Sequence, residues 1–125
     1  MPAVKETVVV VDDDAAVRAA LKFALEVEGF NVLLYDGPRA VLAAADLPER
    51  GCLVVDYRMP AIDGIELIVE LRRRRVILPA ILISARVTKG LRDLARSSGL
   101  TRVLEKPLSD SALVENIRDA LASPV

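Results

Sequence analysis

The sequence has no histidine and no tryptophan, and its only aromatic residues are Phe23, Phe30, Tyr35 and Tyr57. Without an imidazole, Ser-His-Asp triads, His-ligated zinc and a phosphohistidine on this chain are excluded. So few rings leave no stacking platform for single-stranded nucleic acid. The single cysteine, Cys52, cannot close an internal disulfide. It suits a reducing compartment and removes zinc ribbons and Cys-x-x-Cys redox sites. No apolar run approaches the ~20 residues of a membrane span, because charges interrupt every stretch. The segment Met1-Pro2-Ala3-Val4-Lys5-Glu6 does not have the form of a signal peptide, since the apolar run from Val8 to Val11 is short and leads into acid. The expectation is a cytoplasmic protein without membrane contact.

The 125 residues are 53% hydrophobic and 28% charged, and 17 Lys and Arg nearly balance 18 Asp and Glu. That composition excludes intrinsic disorder and offers no basic excess for nucleic acid. A chain of this length fits one domain, expected over residues 1–125, that buries roughly two-thirds of its unfolded surface.

Strand and helix patterns alternate along the chain. Val8-Val9-Val10-Val11 is a short β-branched run ending in acid, the pattern of a parallel strand buried on both faces. Similar runs occur at Val32–Leu34, Cys52–Val55, Ala80–Ile83 and, more weakly, Thr101–Leu104. Between them lie five helical segments. Asp14 is placed to cap the first, with Val17, Leu21, Ala24 and Leu25 inward and Gly29 at its end. Pro38 opens a short alanine-rich second helix to Ala45. Asp63 caps a third, with Ile65, Ile68 and Val69 inward and the run Arg72 to Arg75 as a solvated end that complements the dipole. A fourth runs from about Thr88 to Ser97 and stops at Gly99. A fifth begins near Ser109 or Asp110 and carries Leu113, Ile117 and Leu121. Five strands alternating with five helices predict an α/β domain with a parallel sheet and right-handed crossovers. Ligands in such sheets bind beyond the C-terminal strand ends.

Those ends carry Asp12-Asp13-Asp14, Asp56, Ser84 and, through Glu105, Lys106-Pro107. In a parallel sheet these side chains converge. Gathered carboxylates repel, and one would stay protonated at neutral pH unless a cation joined them. A hard divalent ion, Mg²⁺ or Mn²⁺, is the natural partner. Lys106 and Ser84 would then neutralise and hydrogen-bond an incoming phosphoryl group. Asp56 would be the nucleophile, since a carboxylate can form an aspartyl phosphate. Asp14 is expected to be a helix cap outside the metal shell, Met59 and Cys52 packing residues, and Tyr57 a covering or core residue outside the site.

The acidic pair Asp12-Asp13, the segment Asp56-Tyr57-Arg58-Met59-Pro60-Ala61-Ile62-Asp63-Gly64, Ser84-Ala85 and Lys106-Pro107, in this order and spacing, resemble a response-regulator receiver domain over essentially the full length. The Asp-x-Arg-Met-Pro wording and Leu104-Glu105-Lys106-Pro107 are most similar to the FixJ-type branch. The resemblance implies a flavodoxin-like (βα)5 doubly wound sandwich with strand order 2-1-3-4-5. It implies Asp56 as phosphoacceptor and Mg²⁺ held by Asp13, Asp56 and the backbone carbonyl of Arg58, with Asp12 binding through water or orienting the metal shell. It further implies Lys106 paired to the phosphoryl oxygens, Ser84 as the hydroxyl that swings toward them, and a cis peptide before Pro107. The implied donor is a sensor histidine kinase or phosphotransfer protein docking on the first helix. The implied output is a phosphorylation-dependent switch on the fourth helix, fifth strand and fifth helix, a face that also suits homodimerisation. In this branch the usual appended part is a DNA-binding domain, although nothing in these residues would bind DNA.

Four positions individualise the chain. Val103 stands where receivers usually carry the Tyr or Phe that turns inward with the hydroxyl, so signalling is expected to rest on Ser84 and the fourth helix. Leu100 replaces a common alanine and reads as extra packing or a partner contact. Arg58 and Arg86 occupy two variable positions and are expected to tune phosphoryl lifetime. The rival reading is a Mg²⁺-dependent phosphatase with an aspartyl-phosphate intermediate. Such enzymes place Asp-x-Asp after the first strand and need a cap, for which no insertion is long enough. An FMN-binding flavodoxin is disfavoured because Asp12 to Asp14 would repel the flavin phosphate.

Overall fold

Val8, Val9, Val10 and Val11 are completely withdrawn from solvent, as are Leu53, Val54, Val55, Ile81, Leu82 and Ile83. These runs form the middle of a sheet covered on both faces. The computed structural model describes residues 5–44 and 47–122. Its order is β1 (Thr7–Val11), α1 (Ala15–Val27), β2 (Asn31–Tyr35), α2 (Pro38–Ala43), β3 (Cys52–Asp56), α3 (Gly64–Arg73), β4 (Ala80–Ser84), α4 (Lys89–Ser97), β5 (Val103–Glu105) and α5 (Asp110–Ala122). The strands are all parallel, in the order β2-β1-β3-β4-β5. The expected α/β class and strand order are therefore observed. The predicted extension of the second helix to Ala45, and the C-terminal Ser123-Pro124-Val125, lie outside the described residues.

Alternate residues of each strand face opposite layers. Val9, Val11, Leu53, Val55 and Leu82 pack with Ile65, Ile68 and Leu71 of α3 and Leu91 and Ala95 of α4. Val8, Val10, Cys52, Val54, Ile81 and Ile83 pack with Leu21 and Leu25 of α1 and Leu113 and Ile117 of α5. Cys52 is a core residue, and burial pushes its thiol up to about 12, so it stays protonated. The weak fifth run pairs only from Val103 to Glu105, because its register is set by Leu82 to Ser84 of β4.

The helix ends follow the cap chemistry. Asp14 accepts from the Ala16 and Val17 amides, and Thr88 from that of Leu91. Asp63 and Glu66 form a reciprocal capping box on α3. Ser109, rather than Asp110, takes the first-turn amide of α5, that of Ala112. Gly29 and Gly99 end α1 and α4 at positive φ, and after α3 Arg75 occupies the same conformation with φ 66.

Two expectations are corrected and one open alternative is resolved. Val69 is exposed, while Ile65 and Ile68 are buried as expected and Leu67 and Leu71 complete the inward face of α3. Leu100 is 4% exposed and packs in the core, which bears out extra packing, the first of the two roles expected of it. The arginine run is more than a solvated end. Arg72 donates to the Val76 carbonyl at 2.8 Å, Arg74 to the Leu42 carbonyl at 2.8 Å, and Arg73 and Arg74 both pair with Glu70.

Gly64 ties the fold to the strand ends. Its amide donates to Tyr57 O at 2.8 Å, and a Cβ there would collide with the backbone carbonyl of Asp56 and crowd Leu82. Gly64→Ala is expected to lower unfolding stability by about 1–3 kcal/mol through overpacking, measured by urea denaturation. Native-like stability would show that the β3–α3 connection tolerates displacement.

Candidate functional site

The C-terminal ends of β1, β3 and β5 bring four charged side chains to one edge. Asp12 follows β1 directly and is fully buried. Its amide donates to Tyr35 O at 3.2 Å, its Oδ1 accepts from the Asp14 amide at 2.9 Å, and its carbonyl accepts from Arg18 Nη1 at 2.7 Å. Asp56 ends β3 and is 6% exposed. Lys106 reaches both, with Nζ 3.2 Å from Asp12 Oδ2 and 3.3 Å from Asp56 Oδ1. Asp13 is exposed on the rim, and one oxygen from each of Asp12, Asp13 and Asp56 lies within 4.8 Å of the others. Asp14 points away into its capping role.

Burial pushes the Asp56 carboxyl above the usual range, and the Asp12 charge adds to this, while Lys106 only partly offsets them. Burial pulls the Lys106 ammonium down, but Asp56 and Asp12 outweigh that and hold it above its ordinary value. Lys106 thus pairs with only two of the three carboxylates. An all-oxygen donor set with this excess negative charge fits a hard divalent ion. The Arg58 carbonyl, two residues past Asp56, accepts no hydrogen bond among the described residues.

Ser84 ends β4 and is buried, but its hydroxyl is engaged locally. It donates to Arg86 O at 3.0 Å and accepts from the Arg86 amide at 3.4 Å. Tyr57, Arg58, Ser84, Arg86, Thr88 and Leu91 line a cavity of about 260 Å³ beside the loop that follows β3. Arg58 lies 6.0 Å over the Tyr57 ring, which also rests on the core. Val103 is buried in that core with Leu91 and Leu100. The Lys106–Pro107 bond is cis. Beyond it, Val17, Ala20, Leu21, Pro107 and Leu108 form a larger, mostly apolar groove of about 480 Å³ that reaches Lys106.

Two residues of the site escaped sequence reasoning. Arg18 fixes the Asp12 carbonyl from the first turns of α1. Helical side chains lean toward the N-terminus, so an arginine there covers the preceding loop, and that signal was readable. Glu105 accepts from the Val87 amide at 3.0 Å across 18 residues of sequence, and no local pattern announces it.

Residues 8–118 match the response regulator receiver domain family. The transcriptional regulatory protein FixJ of Bradyrhizobium diazoefficiens is 37% identical over 117 residues, covering 94% of this chain and 57% of that protein. FixJ of Azorhizobium caulinodans is 39% identical over 112 residues, covering 90% and 53%. The chain thus spans about half the length of these relatives. The crystal structure of FixJ-N superimposes with a TM-score of 0.87 at 34% identity, covering 98% of both chains.

A raised carboxyl value means that protonation favours the folded state. The cost of ionised Asp56 is therefore full above that value and disappears as pH falls through it. Asp56→Asn is expected to be more stable than the native chain at neutral pH without divalent cations, by roughly 1–2 kcal/mol. The gap should close on acidification. Urea unfolding across pH checks this, and a less stable variant at neutral pH would refute the strain at Asp56.

Proposed function

The chain belongs to the response regulator receiver family, whose members are phosphorylation-controlled signalling switches, and from that membership we propose that Asp56 is its phosphoryl acceptor. The observation that carries this assignment is the convergence of Asp12, Asp13, Asp56 and Lys106 on one sheet edge. In the transfer, an Asp56 carboxylate oxygen forms a bond to phosphorus while the bond from phosphorus to the donor breaks, and the donor group leaves with that electron pair. Water later attacks the acyl phosphate and returns the free carboxylate and inorganic phosphate. Lys106 neutralises the phosphoryl oxygens, and Ser84 donates its hydroxyl to them after leaving Arg86. Asp13, Asp56 and the Arg58 carbonyl would hold Mg²⁺, or Mn²⁺ in its place, with Asp12 orienting the shell. The ion would supply charge neutralisation at the phosphoryl group. The chain would thereby promote its own phosphorylation and dephosphorylation.

With no histidine of its own, the chain must take the phosphoryl group from a partner or a small phosphodonor. A sensor histidine kinase or phosphotransfer protein is the proposed donor. The apolar groove beside Lys106, walled by Val17, Ala20 and Leu21 of α1, is where it would dock. The proposed output surface is α4, β5 and α5, with phosphorylation-dependent homodimerisation there. Transcription regulation is the proposed setting, because the FixJ relatives are described as transcriptional regulatory proteins, and the cytoplasm is the proposed location. No helix among the described residues is long and apolar enough to cross a membrane. The phosphatase alternative is not favoured: the acceptor candidate ends the third strand, whereas such enzymes carry theirs after the first.

Incubation with acetyl phosphate and Mg²⁺ should give a single phosphoryl adduct by intact mass. Asp56→Ala and metal chelation should each abolish it. Multiple turnover without an adduct would favour the phosphatase. Arg58 and Arg86 flank the acceptor from two loops, and their charges are proposed to set how easily water reaches the phosphoryl group. Exchanging both for alanine should change the dephosphorylation rate by about threefold or more, equivalent to ~0.6 kcal/mol of barrier. Unchanged decay would remove them from that role.

A further inference from the structure

We propose that Glu105 is a releasable tether that holds the start of α4 in the unphosphorylated chain. The segment 85–88 joins Ser84 at the end of β4 to the first turn of α4. Ser84 makes its bonds to Arg86 within this segment, and Thr88 turns inward on α4 as its cap. Among the described residues, beyond the segment's bonds to its flanking elements at Ser84 and in the first turn of α4, the bond from the Val87 amide to Glu105 Oε1 is the one hydrogen bond that reaches residues 85–88.

The placement of Glu105 favours such a bond. Ser84 and Glu105 are partners in the β4–β5 register, and the Lys106 amide donates to the Ser84 carbonyl at 2.8 Å. The carboxylate therefore projects from a fixed strand end. It meets an amide just before a helix whose first turn has no acidic residue of its own. Helix N-termini favour negative charge, and here β5 supplies it, whereas α3 uses its own Glu66. A charge-assisted bond of this kind is stronger than a neutral one, yet it is exposed and can exchange with water. Val87 itself rests against the core, so its amide position decides how α4 enters its packing.

The release rests on the phosphoacceptor reading of Asp56. When the Ser84 hydroxyl leaves Arg86 for the phosphoryl group, the turn at 84–86 loses its two internal bonds and its backbone shifts. Val87 follows, the Glu105 bond opens, and α4 is freed to take a second position. Among the described residues the Glu105 carboxylate pairs with the Val87 amide, and it is not one of the groups at the Asp12, Asp13, Asp56 and Lys106 site, so its role is positioning.

Amide exchange of Val87 by NMR, with adduct formation followed by intact mass, tests both halves. Val87 protection in the unphosphorylated chain should fall about tenfold in Glu105→Ala and be largely kept in Glu105→Gln, whose amide oxygen can still accept. Phosphorylation should lower Val87 protection in the native chain and leave it unchanged in Glu105→Ala. Equal protection in the native chain and Glu105→Ala would overturn the tether. Adduct formation without loss of Val87 protection would overturn the release alone. Absence of any adduct would overturn the reading of Asp56 and the release with it, while the comparison of unphosphorylated variants would still decide the tether.

Discussion

Everything at the functional edge depends on one unequal electrostatic arrangement, two buried carboxylates, Asp12 and Asp56, sharing the single ammonium of Lys106. With Asp13 on the rim, three negative charges face one positive charge. A close cluster of like charges in a low-dielectric setting is unfavourable and must be imposed by the rest of the molecule. The imposing agent is the apolar middle of the sheet. β1 and β3 are paired in register from Val8 with Cys52 to Val11 with Val55, and both are sealed on two faces, so neither strand can slide to separate its terminal aspartate. The unfavourable charge is thus sustained by burial elsewhere, and a hard cation would meet a site that is already assembled.

The two loops around this edge are held very differently. On the acceptor side, Tyr57 donates its amide to Ile83 O, Gly64 donates to Tyr57 O, and the Asp63–Glu66 capping box fixes the start of α3. Gly64 lies too close to the Asp56 carbonyl to leave room for adjustment. On the opposite side, residues 85–88 are secured by hydrogen bonds to Ser84 and Glu105. Local stability follows the density of such ties, so on the proposed reading a perturbation at Asp56 would be transmitted toward α4 and resisted toward α3.

Much of this was legible in the sequence, because the informative signals were local. Four β-branched or aliphatic runs ending in Asp12, Tyr35, Asp56 and Ser84 gave the strands, and Asp14, Asp63, Thr88 and Ser109 marked the helix starts. The acidic pair, Asp56, Ser84 and Lys106 could be assembled because a parallel sheet leaves few ways to place strand ends. What could not be read was side-chain traffic between elements. Arg72 and Arg74 look like a solvated run in sequence, yet they lock onto Val76 and Leu42. Val69 looks buried on a helical wheel, yet the inward face of α3 is made by Ile65, Leu67, Ile68 and Leu71. Glu105 looks like a step toward Lys106 until β5 is set beside β4.

Val103 sharpens the question of how a charge event at Asp56 reaches α4. It is a β-branched side chain with one stiff rotatable bond, buried against Leu91, Ala95 and Leu100, and has no ring or polar tip to reorient. The cavity near Ser84 is lined by Tyr57, Arg58, Arg86 and Thr88, and Val103 is not among its walls. A side-chain rotation in the core therefore offers no path between the two. What remains contiguous is the backbone from Ser84 through Arg86 and Val87 to the Thr88 cap, and that backbone has two fixed points, one at the serine hydroxyl and one at Glu105. A bistable element needs few, breakable contacts on one side and a rigid frame on the other. The β4–α4 connection meets both conditions: its frame is the Ser84–Glu105 strand pair, and its breakable contacts are hydrogen bonds rather than buried packing.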